Sequence, residues 1–339
     1  MPKIKILVCY HKKAPLFKNE VMVPIHAGRA CGLEASKDGD LPKEEYDWLC
    51  NNMIGDDTGG EQNNLSHLNR DINEWSVIYW AFKNYDKLGN PDYIGLIHYR
   101  RLFDFRNIVK TGKCSYADAL GLKQKYLSKI LAKYDFVYRK GFKIKNTSLH
   151  TFECYQPQAK LSETYHPLLY KEYQKFKLEQ VFYYNHIFIM KREDFFSFCN
   201  ECVPLMMDIL SMSKSERMET YMKWLKDNCP QDMYERFYRR YQIHGNYVNR
   251  YVSALMEYIS CFYFMYLRDK YKERAYEANI LMTEPPKFIA LYKHRLIKVI
   301  IKLIVDKRRY KKFKRHTAAF FKDSKSSFVK LLGMLYFKY

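Results

Sequence analysis

No uninterrupted apolar stretch in these 339 residues approaches the roughly 20 residues that a helix needs to cross a bilayer. The opening MPKIKILVCYHKK carries an apolar run that stops at Cys9, too short for a secretory leader and without a small-residue cleavage tail, so a cytoplasmic location is expected. Nine cysteines, an odd number, show no framework spacing, which excludes a disulfide-stapled scaffold. The close pair Cys199 and Cys202 has no second pair to complete a zinc site and reads as core. Neither an internal repeat nor a low-complexity segment is present, so a solenoid is excluded too. Acidic residues are in short supply: 37 Asp and Glu face 58 Lys and Arg, a net charge of +21.

That excess is local. Between residues 287 and 339, sixteen Lys and Arg meet only Asp306 and Asp323. The same segment interleaves Phe288, Leu291, Leu296, Val299, Ile300 and Leu303 with Lys293, Arg295, Lys298 and Lys302 before KRRYKKFKRH. This is the pattern of a basic amphipathic helix lying on an anionic membrane surface; docking of its apolar side on the rest of the protein is the alternative. Nucleic acid fits the charge but not the apolar face, so no nucleic-acid partner is expected. The chain therefore divides into a folded domain over residues 1–270 and a membrane-associating tail over 285–339.

Residues 4–9 form an apolar run bounded by charge, as in a strand buried on both faces of a parallel sheet. His11 and Lys12 follow at its carboxyl end, where open α/β sheets place their ligand crevice. Residues 34–64, rich in Gly, Asp, Glu and Asn, read as an extended surface loop. Over 69–85, Ile72, Trp75, Ile78, Tyr79 and Phe82 recur at helical spacing, with Asn69 or Asp71 as the cap. DYIGLIHY at 92–99 is a second buried strand, so strand, helix and strand predict an α/β fold with a mainly parallel central sheet. Further helices are expected over 120–134, 167–178, 192–210 and 247–266, with strands at 134–138 and 181–190.

The order of short motifs adds a resemblance. YHKK, VPIHAGRA, IGDDTGG, NLSHLN, NEWSVIYWAFKN, YIGLIHYRRLF and YYNHIFIMKREDF are together similar to a bacterial glycosyltransferase family first catalogued as a domain of unknown function, found in capsule, exopolysaccharide and lipopolysaccharide clusters. The similarity runs over residues 4–260. It implies a GT-A-like, Rossmann-like nucleotide-sugar-binding core, to which the charge pattern of residues 285–339 adds a C-terminal helical basic extension. It also implies transfer of a hexose, such as galactose or galactofuranose, from a UDP-linked donor to a lipid-linked oligosaccharide at the inner face of the plasma membrane. The residues it implicates are Asp56 and Asp57, then Asn64, Ser66 and Asn69, then Glu74 and Trp80, then His98, Tyr99, Arg100 and Arg101, and Asn185. Near residue 249, where the family pattern has Gly-x-x-x-Glu-Arg, this chain has Asn249 followed by Arg250.

Glycosyl transfer needs positive charge on the departing diphosphate and, for inversion, a carboxylate to take the acceptor's proton. In place of an Asp-x-Asp metal site the second strand ends in HYRR, whose guanidinium forks match phosphate oxygens. Asp56, Asp57, Glu74 and His98 are the catalytic candidates. His11, Lys12, Asn64, Ser66, Asn69, Arg100, Arg101, Asn185 and Arg250 are the donor-binding candidates. Asp56 or Asp57 could ligate Mg or Mn, or both could serve only the turn they sit in. Strand alternation sends His98 and Arg100 one way and Arg101 the other unless the strand has ended. The competing reading is a non-catalytic nucleic-acid- or membrane-binding protein acting through its basic tail.

Overall fold

The computed structural model describes residues 1–34, 41–106, 121–143, 161–183, 186–243 and 251–282. The first apolar run is β1, Ile4–Tyr10, and it lies in mid-sheet. On one side it pairs in parallel with β2, Met22–His26, which pairs in turn with the short β3, Ile54–Gly55. On the other it pairs in parallel with β4, Tyr93–His98. β4 turns at Tyr99 and Arg100 into β5, Arg101–Phe103, which runs antiparallel to it. Beyond β4 come β9, Phe188–Lys191, then β6, Phe136–Arg139, and β10, Ala275–Ala278. β11, Ile280–Met282, pairs with β5, and β7, Phe142–Lys143, forms a separate ladder with β8, Val181–Phe182.

β9 is antiparallel to both β4 and β6, whereas β6 and β10 are parallel. Six strands of the main path therefore point one way and β9 alone points back. The mainly parallel α/β class expected from the sequence is thus the one observed, and β10 and β11 carry the sheet past residue 270, to Met282.

Alternation along β1 explains the layering. Ile4, Ile6, Val8 and Tyr10 belong to one apolar cluster, with Leu49 of α1, Lys43–Asn52, and Leu127 and Leu131 of α4, Gln124–Leu131. Leu7 and Cys9 point into the other cluster, against α3, Trp75–Lys83, and α6, Arg192–Ser211. Between α3 and α4 in space, the sheet is covered on both faces, as parallel strands require. The second cluster also takes in α5, Pro167–Glu179, α7, Lys214–Asn228, and α9, Tyr251–Tyr271, while α8, Gln231–Ile243, follows α7. Cys199 and Cys202 are fully buried there, as expected. No single described helix is long and apolar enough to cross a membrane.

Three expectations are corrected. Residues 43–52 of the expected surface loop form α1, with Glu44 and Glu45 in its first turn favoured by the helix dipole. The helix expected over 69–85 is two pieces: α2, Asn69–Ile72, ends at Asn73, whose φ of 50° and ψ of −127° no helix tolerates, and α3 begins at Trp75. The expected strand over 181–190 is likewise split, because His186 adopts a φ of 48° just before β9.

Candidate functional site at the carboxyl edge of the sheet

The parallel strands end in register. His98 of β4 sits opposite Cys9, Tyr10 opposite His26, and His26 opposite Gly55. With strands about 4.8 Å apart, this row from Gly55 to His98 spans about 14 Å. The carboxyl ends of β1, β2 and β4 and the start of the Gly-Asp-Asp turn therefore lie along one edge of the sheet.

Asp56 is the hub of that turn and is fully buried. Its Oδ2 accepts from the Gly28 N–H at 2.7 Å and the Ser76 hydroxyl at 2.6 Å. Its Oδ1 accepts from the Arg29 N–H at 3.0 Å and the Ser66 hydroxyl at 2.5 Å. Four donors occupy the four lone-pair directions of a carboxylate, so the catalytic or metal role expected of Asp56 is corrected to a structural one. Burial pushes its carboxyl above the usual range although all four hydrogen bonds oppose the rise. Ser66 and Asn69, expected to bind the donor, are also committed: the Ser66 hydroxyl accepts from Ala30 N–H, and the Asn69 amide donates to the Asn73 carbonyl and the Ser76 hydroxyl at 2.8 Å each. Gly28 completes the knot. Its φ of 70° favours glycine, and a Cβ there would lie 2.6 Å from the Asn69 side chain.

Asp57 turns the other way and pairs with Arg29 at 2.6 Å, both half-buried. A metal role for it would have to displace that guanidinium. Asn64 donates to the Gly60 carbonyl at 2.8 Å and its Oδ1 accepts from Ser66 N–H, so it shapes the loop between Asp57 and Ser66. Trp80 ties the same loop to α3, its indole N–H donating to Thr58. His26, beneath the pair, has its pKa lowered to about 4 by burial and by Arg29, and so stays neutral at pH 7.

Glu74 occupies the position before α3, turned by the unusual backbone of Asn73, whose amide is anchored to Ser253 of α9 at 2.8 Å. Glu74 Oε1 stands 3.5 Å from His98 Nδ1 and Oε2 stands 3.8 Å from His186 Nδ1. Burial alone would raise its pKa, but the attraction of His98 and then of His186 outweighs this and holds the carboxyl well below the usual range. Glu257 of α9 closes the group. Burial pushes its carboxyl up to about 7, with Glu74 adding to the rise and His186, Arg101 and Arg139 opposing it. Two carboxylates side by side with opposite shifts are a common signature of acid–base work.

One oxygen each from Glu74 and Glu257 and one nitrogen of His186 lie within 4.8 Å of one another, a spacing that a cation can bridge. The proton inventory argues otherwise. Trp75 Nε1–H donates to His186 Nε2 at 3.0 Å, and an indole can only donate, so in the neutral ring the proton sits on Nδ1. The nitrogen that faces Glu74 is then a donor and has no lone pair for a metal.

The hairpin at the end of β4 also settles which arginine shares a side with His98. His98 and Arg101 are directly paired across β4 and β5, so they project from the same face, and Arg101 acts on Glu257. Arg100, in the turn, lies over the Tyr99 ring at 5.9 Å. His11 packs edge-on to Tyr99 and is within electrostatic reach of Arg100, Glu74, His98 and Lys12. Asn185, Asn249, Arg250 and the tail over 285–339 lie outside the described residues. The residues that sequence reasoning missed are Arg29, His186 and Glu257. His186 adjoins Asn185 within YYNHIF, the one signal that pointed near it.

Residues 5–227 match a family described as Domain of unknown function (DUF4422). No curated protein matches. Among solved structures, the apo form of the WbbM bifunctional glycosyltransferase superposes with a TM-score of 0.57 at 16% sequence identity, covering 84% of this chain and 46% of that one. At that identity the likeness speaks for the fold, and the chain spans about half the length of the protein it matches. The family match takes in the whole row of strand ends, from β1 through His186, and on that basis the chain belongs to the DUF4422 family.

Proposed function

We propose that the chain is a glycosyltransferase that moves a hexose from a nucleotide sugar, with UDP as the nucleotide, to a lipid-linked oligosaccharide in the synthesis of a surface polysaccharide. The observation that carries this reading is the carboxyl edge itself. Beside His98 it offers basic side chains from β4 and β5 for a diphosphate, and the neighbouring Glu74 and Glu257, two carboxylates of opposed proton affinity, for an acceptor hydroxyl. The resemblance of the fold to a known glycosyltransferase supports the same class. Arg101, sharing a face with His98, is the phosphate partner this geometry favours, and Arg100 and His11 flank it. The donor sugar is proposed to be galactose or galactofuranose. The basic segment 287–339 is proposed to hold the enzyme on the anionic inner leaflet, where a lipid-borne acceptor resides.

Purified protein supplied with a panel of nucleotide sugars and an undecaprenyl-diphosphate-linked oligosaccharide should release free nucleotide with a UDP-hexose. Arg101→Ala should lower that release at least about tenfold, the loss of one charge-assisted phosphate contact. Absence of release from every donor would remove the enzymatic reading.

A further inference from the structure

The reading above leaves open which group takes the acceptor's proton, and the described carboxylates differ sharply in fitness for it. Asp56 has both oxygens filled by four donors. Asp57 is paired to Arg29 on the far side of the row. Glu74 is pinned between His98 and His186, which favour its ionised form and make it a weak base. Glu257 has no hydrogen bond or close ion pair among the described residues. It stands largely buried on α9, with a carboxylate oxygen within 4.8 Å of both Glu74 and His186.

His186 supplies the second half of the argument. The ring is 1% exposed, its Nε2 is filled by the Trp75 N–H, and its Nδ1, the proton-bearing nitrogen, has no hydrogen-bond partner among the described residues, with Glu74 Oε2 standing off at 3.8 Å. A buried donor left unsatisfied opposes folding, and the left-handed backbone of His186 adds strain, so the fold holds this group in place at a cost. A hydroxyl oxygen accepting from Nδ1–H would satisfy it, and from there the hydroxyl proton can reach Glu257.

We propose that Glu257 is the general base of the transfer, taking the proton of an acceptor hydroxyl whose oxygen is held by His186 Nδ1–H. The proposal rests on the glycosyltransferase reading. The O–H proton passes to a Glu257 carboxylate oxygen while the hydroxyl oxygen bonds the sugar's anomeric carbon. The bond from that carbon to the diphosphate oxygen breaks, and its electron pair leaves with the nucleoside diphosphate. The anomeric configuration inverts. Around Glu257 stand His186 before β9, Glu74 before α3, Arg101 of β5 and Arg139 of β6, and burial in their midst brings its carboxyl to about 7, where a base both exists ionised and binds a proton well.

The test compares the full-length wild type with Glu257→Gln, Glu257→Asp and Glu257→Ala, using the nucleotide sugar that the wild type turns over and the undecaprenyl-linked oligosaccharide. Glu257→Gln should lose about 10²–10⁴ in transfer rate while binding UDP within about threefold of wild type by calorimetry, and formate should restore part of the rate to Glu257→Ala but not to Glu257→Gln. The wild-type kcat/KM profile should carry an acidic limb near 7. Transfer by Glu257→Gln within about threefold of wild type overturns the assignment and leaves the glycosyltransferase reading standing, as does an acidic limb near 4, where an unperturbed carboxylate titrates. That second outcome is read on the wild type alone, whatever the variants' folding. A wild type that turns over no donor overturns both.

Discussion

At the scale of single residues, the carboxylates of this site divide between holding the loop and facing a ligand. Asp56→Ala would strip a partner from two backbone N–H groups and two hydroxyls at once in a fully buried position. At about 1–3 kcal/mol for each group left unsatisfied, with some relaxation, a loss of about 3–5 kcal/mol is expected in urea unfolding. Glu257 gives the opposite sign. Its raised pKa means that the folded state binds more protons than the unfolded chain between about pH 4 and 7, so its presence lowers stability as pH rises through that window. Glu257→Gln should therefore melt higher than wild type at pH 8, and the difference should vanish at pH 4. A lower melting temperature at pH 8 would contradict the assignment of the shift to burial of the anion.

At the scale of elements, the break between α2 and α3 decides where Glu74 points. Asn73 holds a strained backbone there, and its side chain reaches Ser253 on α9, so the start of α3 and the helix carrying Glu257 are tied through one amide. Asn73→Gly relieves the strain and removes the tie. Its unfolding free energy should stay within about 1 kcal/mol of wild type, while transfer falls because Glu74 is no longer fixed, a split visible by comparing urea melts with turnover. These devices also mark where the sequence was and was not legible. Ile4, Ile6, Leu7 and Val8 announce β1 because a strand buried on both faces must be apolar throughout. The break at Asn73 is hidden because the apolar period of Ile72, Trp75 and Ile78 continues across it. Strand β2 is obscured by Pro24 and by its length of five residues, and α1 by the charged KEEYD that lowers its apolar contrast. β9 was legible as apolar but not as reversed, since alternation carries no direction. Because it runs backward, the residue that precedes it, His186, and not one that follows, lies at the carboxyl edge. Glu257 was invisible for a simpler reason: it is the one acid in the apolar run of α9 that precedes Arg268.

At the scale of the whole molecule, the net charge of +21 is set mainly by residues 287–339. If that segment holds the enzyme on lipid, replacing Lys307, Arg308 and Arg309 together by Glu should abolish sedimentation with vesicles containing phosphatidylglycerol at 0.1 M salt, where the Debye length is about 10 Å, and should leave UDP binding unchanged. Vesicle binding that survives this reversal would refute the membrane role of the tail.

The site draws on chain segments far apart, from Cys9 beside His98 to the Asn73 link with Ser253, 180 positions away. At about 5–20 residues per second, Glu257 follows Glu74 off the ribosome by roughly 10–40 s. During that interval the emerging chain has its first strand ends but no α9 to cover the apolar sides of α2, α5, α6 and β6. Newly made protein therefore stays sticky until α9 docks, and co-translational chaperone capture should peak in the window after α6 has emerged and before α9 has.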